Sequence, residues 1–399
     1  MLQQVTIRGT MLSSINSRLP GEMIDRVIDH LHDDKRSLSA CSLVCTLWQP
    51  ASRFHLFRHV KLSDAFSETS ESLFGLVSRF LTDVKHLCFN VEHLHISYEH
   101  ETLMYPLLDN ILRHMPRVHS LAFTGILWRV KHSSLNPLAS YPLIKSLTFE
   151  TVHFTSSGDI GTSVECFPLL SLFPHARELR LLNIEDPLDY PSDFFPNHLA
   201  LRSFKADHSC EGTPALLAAL SITSTVDSLT HLDVGWIVNP GLFQALRELD
   251  VRIKKHLVFL RMGLDDISDL IEHDETGGVP WNLLNLREFT SLREVSILVP
   301  EPRNPLLDAI LAIDSLPTRI HNITIEFEAM RWDQDIPAYF SMDIWAELER
   351  MMSRFTQLEC MRCIAIDVTG NEPHPLSSSV QAEIRSHMPS LVAKGLLKF

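Results

Sequence analysis

Apolar and polar positions along this chain follow two different periods, and the change from one to the other divides it. Near the start the period is helical. Ile24, Val27, Ile28 and Leu31 fall at i, i+3, i+4 and i+7, one apolar stripe on an amphipathic helix. Pro20 suits the first helical position and Glu22 the first turn, where the helix dipole favours an anion. Asp33 or Asp34 can cap a second helix, on which Leu38, Cys41, Val44, Cys45 and Trp48 recur with helical spacing. Pro50 opens a third, carrying Phe54, Leu56 and Phe57. Three helices in about forty residues cannot bury all this apolar surface among themselves. The leftover face therefore docks on the rest of the chain or on another protein. An apolar-rich helix from Ser70 to Leu81 follows.

Beyond it the pattern becomes apolar-x-x-apolar-x-apolar, repeated at a spacing of roughly thirty residues. It reads Val84-Leu87-Phe89, Val118-Leu121-Phe123, Ile144-Leu147-Phe149, Ala176-Leu179-Leu181, Leu201-Phe204-Ala206 and Leu229-Leu232-Val234. It continues as Leu257-Leu260-Met262, Leu292-Val295-Ile297, Ile320-Ile323-Ile325 and Leu358-Met361-Cys363. Each predicts a strand. The stretches between carry helix starts: Asn136-Pro137, Thr213-Pro214, Asn239-Pro240 and Asn304-Pro305 each pair a cap with proline at the first helical position. Leu103, Leu107, Leu108, Ile111 and Leu112 make one further helical stripe. Ile344, Leu348, Met351, Met352 and Phe355 make another.

The first segment resembles a known family. Its Leu19-Pro20-x-Glu22 start, apolar run to Leu31, Leu43-Val44-Cys45-x-x-Trp48 core and closing Phe57 look like an F-box. The wording Ala40-Cys41-Ser42-Leu43-Val44-Cys45 and His55-Leu56-Phe57-Arg58 is similar to F-box proteins of mushroom-type fungi. The strand-plus-helix period resembles leucine-rich repeats, with one departure. That family's asparagine, eight residues after the first apolar position, is replaced by Ile126, Val152, Ile184, Ile237 or Ile366. The fold expected is thus α/β: an N-terminal three-helix F-box, then an irregular leucine-rich-repeat-like solenoid of parallel strands and helices. An ordinary α/β domain with a parallel sheet shares the same alternation and stays open. The expected division is a disordered tail at 1–17, the F-box at 18–62, a linker helix at 63–82 and the repeat domain at 83–399.

Composition narrows the function. The chain has 399 residues, 45% of them hydrophobic and 21% charged, which is the make-up of a protein with a real core. A net charge of −14 argues against nucleic acid or a membrane surface as partner. Seven cysteines, odd in number and thinly spread, fit a reducing compartment. No stretch is long and apolar enough to span a membrane and no signal peptide is visible, so a cytoplasmic or nuclear location is expected.

Catalytic and metal chemistry is not expected. His93-x-His95, near His86 and His100, places two imidazoles on one side of a strand, but no acidic or cysteine partner stands at ligand spacing in the sequence. Cys360-x-x-Cys363 is a lone pair with Cys363 on an inward position. Asp265-Asp266-x-x-Asp269 lacks the glycine and glutamate of a calcium loop. No nucleophile elbow, P-loop or dinucleotide fingerprint occurs. Neither catalytic residues, nor a metal, nor a cofactor is expected.

The resemblance implies a substrate-recognition adaptor of a cullin-based ubiquitin ligase. It implies that Leu19, Pro20, Glu22, Ile24, Ile28, Val44 and Trp48 pack the F-box helices and meet a Skp-type adaptor, while the repeats hold a protein substrate. Alternatives are an F-box protein working with the adaptor outside a ligase, and a solenoid that binds a small ligand. The residues between the second and third apolar positions would share one face of the sheet: Cys88, Ala122, Thr148, Arg180, Lys205, Asp233, Arg261, Ser296, Thr324 and Arg362. Arg180, Lys205, Arg261 and Arg362 on that row suit an acidic or phosphorylated segment. Aromatic-rich loops at Tyr190 to Phe195 and Trp332 to Phe340 compete for the same role.

Overall fold

The computed structural model describes residues 20–63, 73–98, 102–103, 105–130, 141, 143–156, 170–184, 199, 201–207, 210, 213–237, 240–264, 284–299, 305–328, 342–366 and 373–399. The chain forms two compact units, one within Met1–Tyr98 and Pro106–Leu121, the other within Glu99–Tyr105 and Ala122–Phe399. Among the described residues no helix is long and apolar enough to cross a membrane.

The first unit opens with α1 (Gly21–Asp29), α2 (Lys35–Val44) and α3 (Gln49–Arg58). Asp34 caps α2: its carboxylate accepts from the backbone N–H of Arg36 and Ser37, both at 3.1 Å, and from the Ser37 hydroxyl at 2.6 Å. Pro50 stands in the first turn of α3. Directly after α3 comes β1 (His59–Ser63), then α4 (Leu73–Asp83), a 3-10 turn over Lys85–Asn90, and β2 (His93–Ser97), which pairs in parallel with β1.

Two expectations fail here. Val84-Leu87-Phe89 is no strand: Leu87, Cys88 and Val91 are buried at a helical spacing, while Phe89 is exposed. The strand lies farther on, where His93-Leu94-His95-Ile96-Ser97 alternates strictly and buries Leu94 and Ile96. Residues 59–62, expected to close the helical bundle, instead form β1, with Leu62 buried.

The short β3 (Thr102–Leu103) and the helix α5 (Tyr105–His114) precede β4 (Ser120–Thr124), through which the division between the units passes. The second unit continues with β5 (Leu127–Val130), β6 (Ser146–Glu150), β7 (His153–Ser156), β8 (Glu178–Leu182) and β9 (Ser203–Ala206). Then come α6 (Thr213–Ser221), β10 (His231–Ile237), α7 (Pro240–Ile253), β11 (Phe259–Leu264) and β12 (Glu294–Val299). The chain ends with α8 (Pro305–Asp314), β13 (Asn322–Glu328), α9 (Met342–Met352), β14 (Cys360–Ile366), β15 (Pro373–His374), α10 (Ser378–His387), α11 (Pro389–Ala393) and β16 (Leu397–Lys398).

In this unit β6, β8, β9, β10, β11, β12, β13 and β14 lie side by side in chain order, every neighbour parallel. β15 is antiparallel to β14, and β3, β5 and β7 make a second, parallel sheet. Helices begin where the sequence placed them, at Thr213, Pro240 and Pro305; the start expected at Asn136-Pro137 lies outside the described residues.

A backbone device repeats from strand to strand. The carbonyl just before one strand accepts two N–H groups that open the next. Lys145 O takes Arg177 N at 2.7 Å and Glu178 N at 3.0 Å; Arg177 O takes Arg202 N and Ser203 N; Arg293 O takes His321 N and Asn322 N. Repeated pairing of this kind holds the register fixed, so that Leu147, Leu179, Phe204, Leu232, Leu260, Val295, Ile323 and Met361 stack as one buried row.

The missing asparagine has a structural replacement. Ile126, Val152, Ile184, Ile237 and Ile366 are all buried. Three of them follow a left-handed residue: Gly125 (φ 70), Thr151 (φ 51) and Asn183 (φ 53). The N–H of Gly125 reaches Glu150 O at 3.1 Å and that of Thr151 reaches Leu182 O at 2.9 Å. That of Asn183 takes the Asp207 carboxylate at 2.8 Å. At these three turns an acceptor from the following strand segment, a main-chain oxygen twice and the Asp207 carboxylate once, satisfies the turn N–H, and the next position is an aliphatic core residue.

Candidate functional site

The three N-terminal helices enclose a very small core. Ile24, Ile28 and Leu38 are fully buried, with Leu31, Cys41, Trp48, Ala51 and Leu56 packed partly against them. His55 Nε2 lies 2.8 Å from Asp29 Oδ1 and ties α3 to the end of α1. What stays outside is unusual. Leu43 is 84% exposed, Met23 52%, Val44 49%, Leu47 48% and Val27 47%. Met23 and Val27 are i, i+4 neighbours and share one side of α1. Leu43, Val44 and Leu47 mark the end of α2 and the turn into α3. Large aliphatic residues exposed singly are ordinary; this many on so short a bundle signal a surface made to be covered.

The residues the sequence assigned to adaptor binding thus separate into two groups. Ile24 and Ile28 are core and Trp48 is half-buried, so they shape the bundle. Pro20, Glu22 and Val44 face solvent, and Leu19 lies outside the described residues. Met23 and Leu47 were not singled out from the sequence, and Leu43 was quoted only within the F-box-like core and not among the adaptor-binding residues. For Met23 the signal was present: it is apolar yet stands off the i, i+3, i+4 stripe, on a position a self-contained helix would make polar, whereas Leu47 lies in the turn between α2 and α3.

On the second unit the anticipated row forms in register. Thr148, Arg180, Lys205, Asp233, Arg261, Ser296, Thr324 and Arg362 are successive partners across β6 to β14. Cys88 does not join any such row: it is a buried residue of the 3-10 turn itself. On β2 the equivalent place in the strand, two after its first residue, is His95, whose partner on β1 is Lys61.

The four basic residues differ sharply in state. Arg261 is buried and donates to Glu326 at 2.7 Å and to Asp233 at 3.0 Å. Ser296, on the intervening strand, donates its hydroxyl to Glu326. Burial works against the Arg261 charge, but the hydrogen bonds it donates to Glu326 and the charge of Asp233 outweigh it and push its pKa up. Lys205 leans on Asp233 at 3.7 Å. Arg180 and Arg362 are exposed, with no ion pair among the described residues. Arg261 is therefore a structural cation, and the available charge on this row is at Arg180 and Arg362. Both competing aromatic loops, Tyr190 to Phe195 and Trp332 to Phe340, lie outside the described residues.

Beside this row β10 bulges between Asp233 and Gly235, which turns Trp236 into line with Gly263 and Leu298. A Cβ on Gly263 would stand 2.6 Å from the Trp236 ring and 2.7 Å from Leu298 Cβ, so only glycine fits there.

The chemistry weighed in the sequence falls out as follows. Cys360 and Cys363 are buried, and burial, with the neighbouring Cys360, pushes the Cys363 thiol up to about 12. His86 is exposed, His95 half-buried, and His100 and Asp265 to Asp269 lie outside the described residues. Beside His93, however, stand Glu92, the residue directly before it in the chain, and His119. No model of a known protein family matches the chain, and no characterised protein matches it either.

Proposed function

We propose that this chain is a substrate-recognition subunit of a cullin-based ubiquitin ligase, docking a Skp-type adaptor through α1–α3 and holding a protein substrate on the strands and loops of its second unit. One observation carries the reading: Met23, Val27, Leu43, Val44 and Leu47 are large, apolar and exposed on a bundle whose wording resembles an F-box. Burying such side chains is worth roughly 1.5–3 kcal/mol each, enough for a handful to anchor a protein interface. The chain would do no bond chemistry itself. Its effect is proximity, raising the substrate's local concentration beside a ubiquitin-loaded enzyme.

The test is co-purification with the Skp-type adaptor and cullin. Leu43→Asp with Leu47→Asp puts charge only on exposed sites, so the bundle should keep its fold and its far-ultraviolet spectrum. Adaptor recovery should fall at least tenfold, since an unpaired charge in an apolar interface costs several kcal/mol. Adaptor recovered at full yield by that variant would end the docking claim. Adaptor retained by the unmodified chain with cullin absent would favour a role outside a ligase.

A further inference from the structure

Where the first unit's parallel strands begin, imidazoles and a carboxylate gather. Glu92 immediately precedes β2 and His93 opens it; His119 immediately precedes β4. One ligand atom from each of Glu92, His93 and His119 lies within 4.8 Å of the others, and all three side chains are half-buried. His119 Nε2 is 3.6 Å from Glu92 Oε2. The His93 and His119 rings meet edge to face with centroids 4.7 Å apart. The backbone holds the group together, because Glu92 O accepts the N–H of His119 at 3.0 Å and of Ser120 at 3.2 Å.

We propose that Glu92, His93 and His119 form a binding site for a borderline divalent transition-metal ion, of which zinc is the type. Two imidazole nitrogens and one carboxylate oxygen are donors that suit zinc, nickel or copper and not magnesium or calcium, which take oxygen ligands almost alone. A tetrahedral ion with bonds of about 2.0–2.1 Å leaves its fourth position to water when three protein ligands bind. The ligand atoms must draw closer than they stand, a movement within reach of half-buried side chains on a fixed backbone.

Two of the donors are held in place by their surroundings. His59 stacks on His93 with centroids 4.2 Å apart and planes 4° from parallel, which fixes the ring's plane. Arg58 Nε donates to Glu92 Oε2 at 2.7 Å, the same oxygen that His119 Nε2 approaches at 3.6 Å, and so fixes the carboxylate in place as outer partners in metal sites do. That same arginine opposes a cation by charge, so the affinity expected is moderate.

The site is independent of the proposed function and its test needs no partner. The full chain, purified without a histidine tag, is titrated with Co2+ at neutral pH and followed by visible absorption, then with Zn2+ by calorimetry and thermal melting. One saturable site is expected, with a raised midpoint of unfolding on Zn2+. Millimolar Mg2+ should not displace the ion. His119→Gln and Glu92→Gln should each weaken binding at least about tenfold, the scale on which even outer partners of a ligand act. His387→Gln, which removes the His387–Glu383 pair elsewhere on the chain, should change nothing. A circular-dichroism melt without metal confirms that each variant is folded. Absence of saturable binding to the unmodified chain, or unchanged affinity in folded His119→Gln and Glu92→Gln, overturns the proposal.

Discussion

Arg261 shows why a charge seen in a sequence is not yet a charge available for binding. It shares its face with Arg180 and Arg362, and the two-residue alternation of strands makes that shared face legible from the apolar pattern alone. Its state is not legible, because its strongest partner, Glu326, is 65 residues away in the chain. The pairing exists only once β11, β12 and β13 lie side by side. Replacing Arg261 by Met leaves buried Glu326 without its cation and buried Asp233 with only Lys205, at 3.7 Å. Loss of one partner from such a group costs about 3–5 kcal/mol, whereas Arg180→Ala, at an exposed site with no ion pair among the described residues, should stay within about 0.5 kcal/mol. Urea unfolding of the two variants beside the unmodified chain checks both numbers. Equal midpoints for all three would mean that the Arg261 network is a neutral surface arrangement.

Among the elements, helices were easier to read than the first strands. Thr213, Pro240 and Pro305 open α6, α7 and α8 because a cap and a proline with fixed φ leave little choice of where a helix starts. Val84 to Phe89 misled because apolar-x-x-apolar-x-apolar fits three strand-edge residues and one tight helical turn equally well; burial of adjacent Leu87 and Cys88 decides for the turn. β1 escaped notice because five alternating residues follow a helix with no glycine or proline between to mark the change. In the bundle itself, Trp48 bridges the second and third helices against Ile24, Ile28 and Leu38. Its indole Nε1 is buried with no hydrogen-bond partner among the described residues, so its contribution is apolar. Trp48→Ala should cost about 3–5 kcal/mol and melt the bundle, while Trp48→Phe, which keeps most of the contact and loses no bond, should cost far less. Limited proteolysis would show early cleavage within residues 20–58 for the alanine variant only. Equal cleavage of both would point to the indole nitrogen and away from packing.

Across the whole chain, the net charge of −14 sets the terms for any partner held on the second unit. An acidic or phosphorylated substrate segment meets long-range repulsion and needs local cations that are not already paired. Among the described residues of the register row those are Arg180 on β8 and Arg362 on β14, since Arg261 is bonded to two carboxylates and Lys205 leans on Asp233. Arg180→Glu with Arg362→Glu reverses both exposed charges and leaves the buried row of leucine, phenylalanine, valine, isoleucine and methionine beneath them intact. Folding and adaptor recovery should be unchanged. Capture of an acidic substrate, measured by crosslinking in cells with the proteasome blocked, should fall at least tenfold, because rim charges of this kind act mainly through association rate and salt dependence. Raising salt should weaken capture by the unmodified chain and leave the double variant nearly insensitive. Substrate capture that is unchanged in the double variant, and insensitive to salt in both, would remove the charged row from the interface and pass recognition to the aromatic segments at Tyr190 to Phe195 and Trp332 to Phe340.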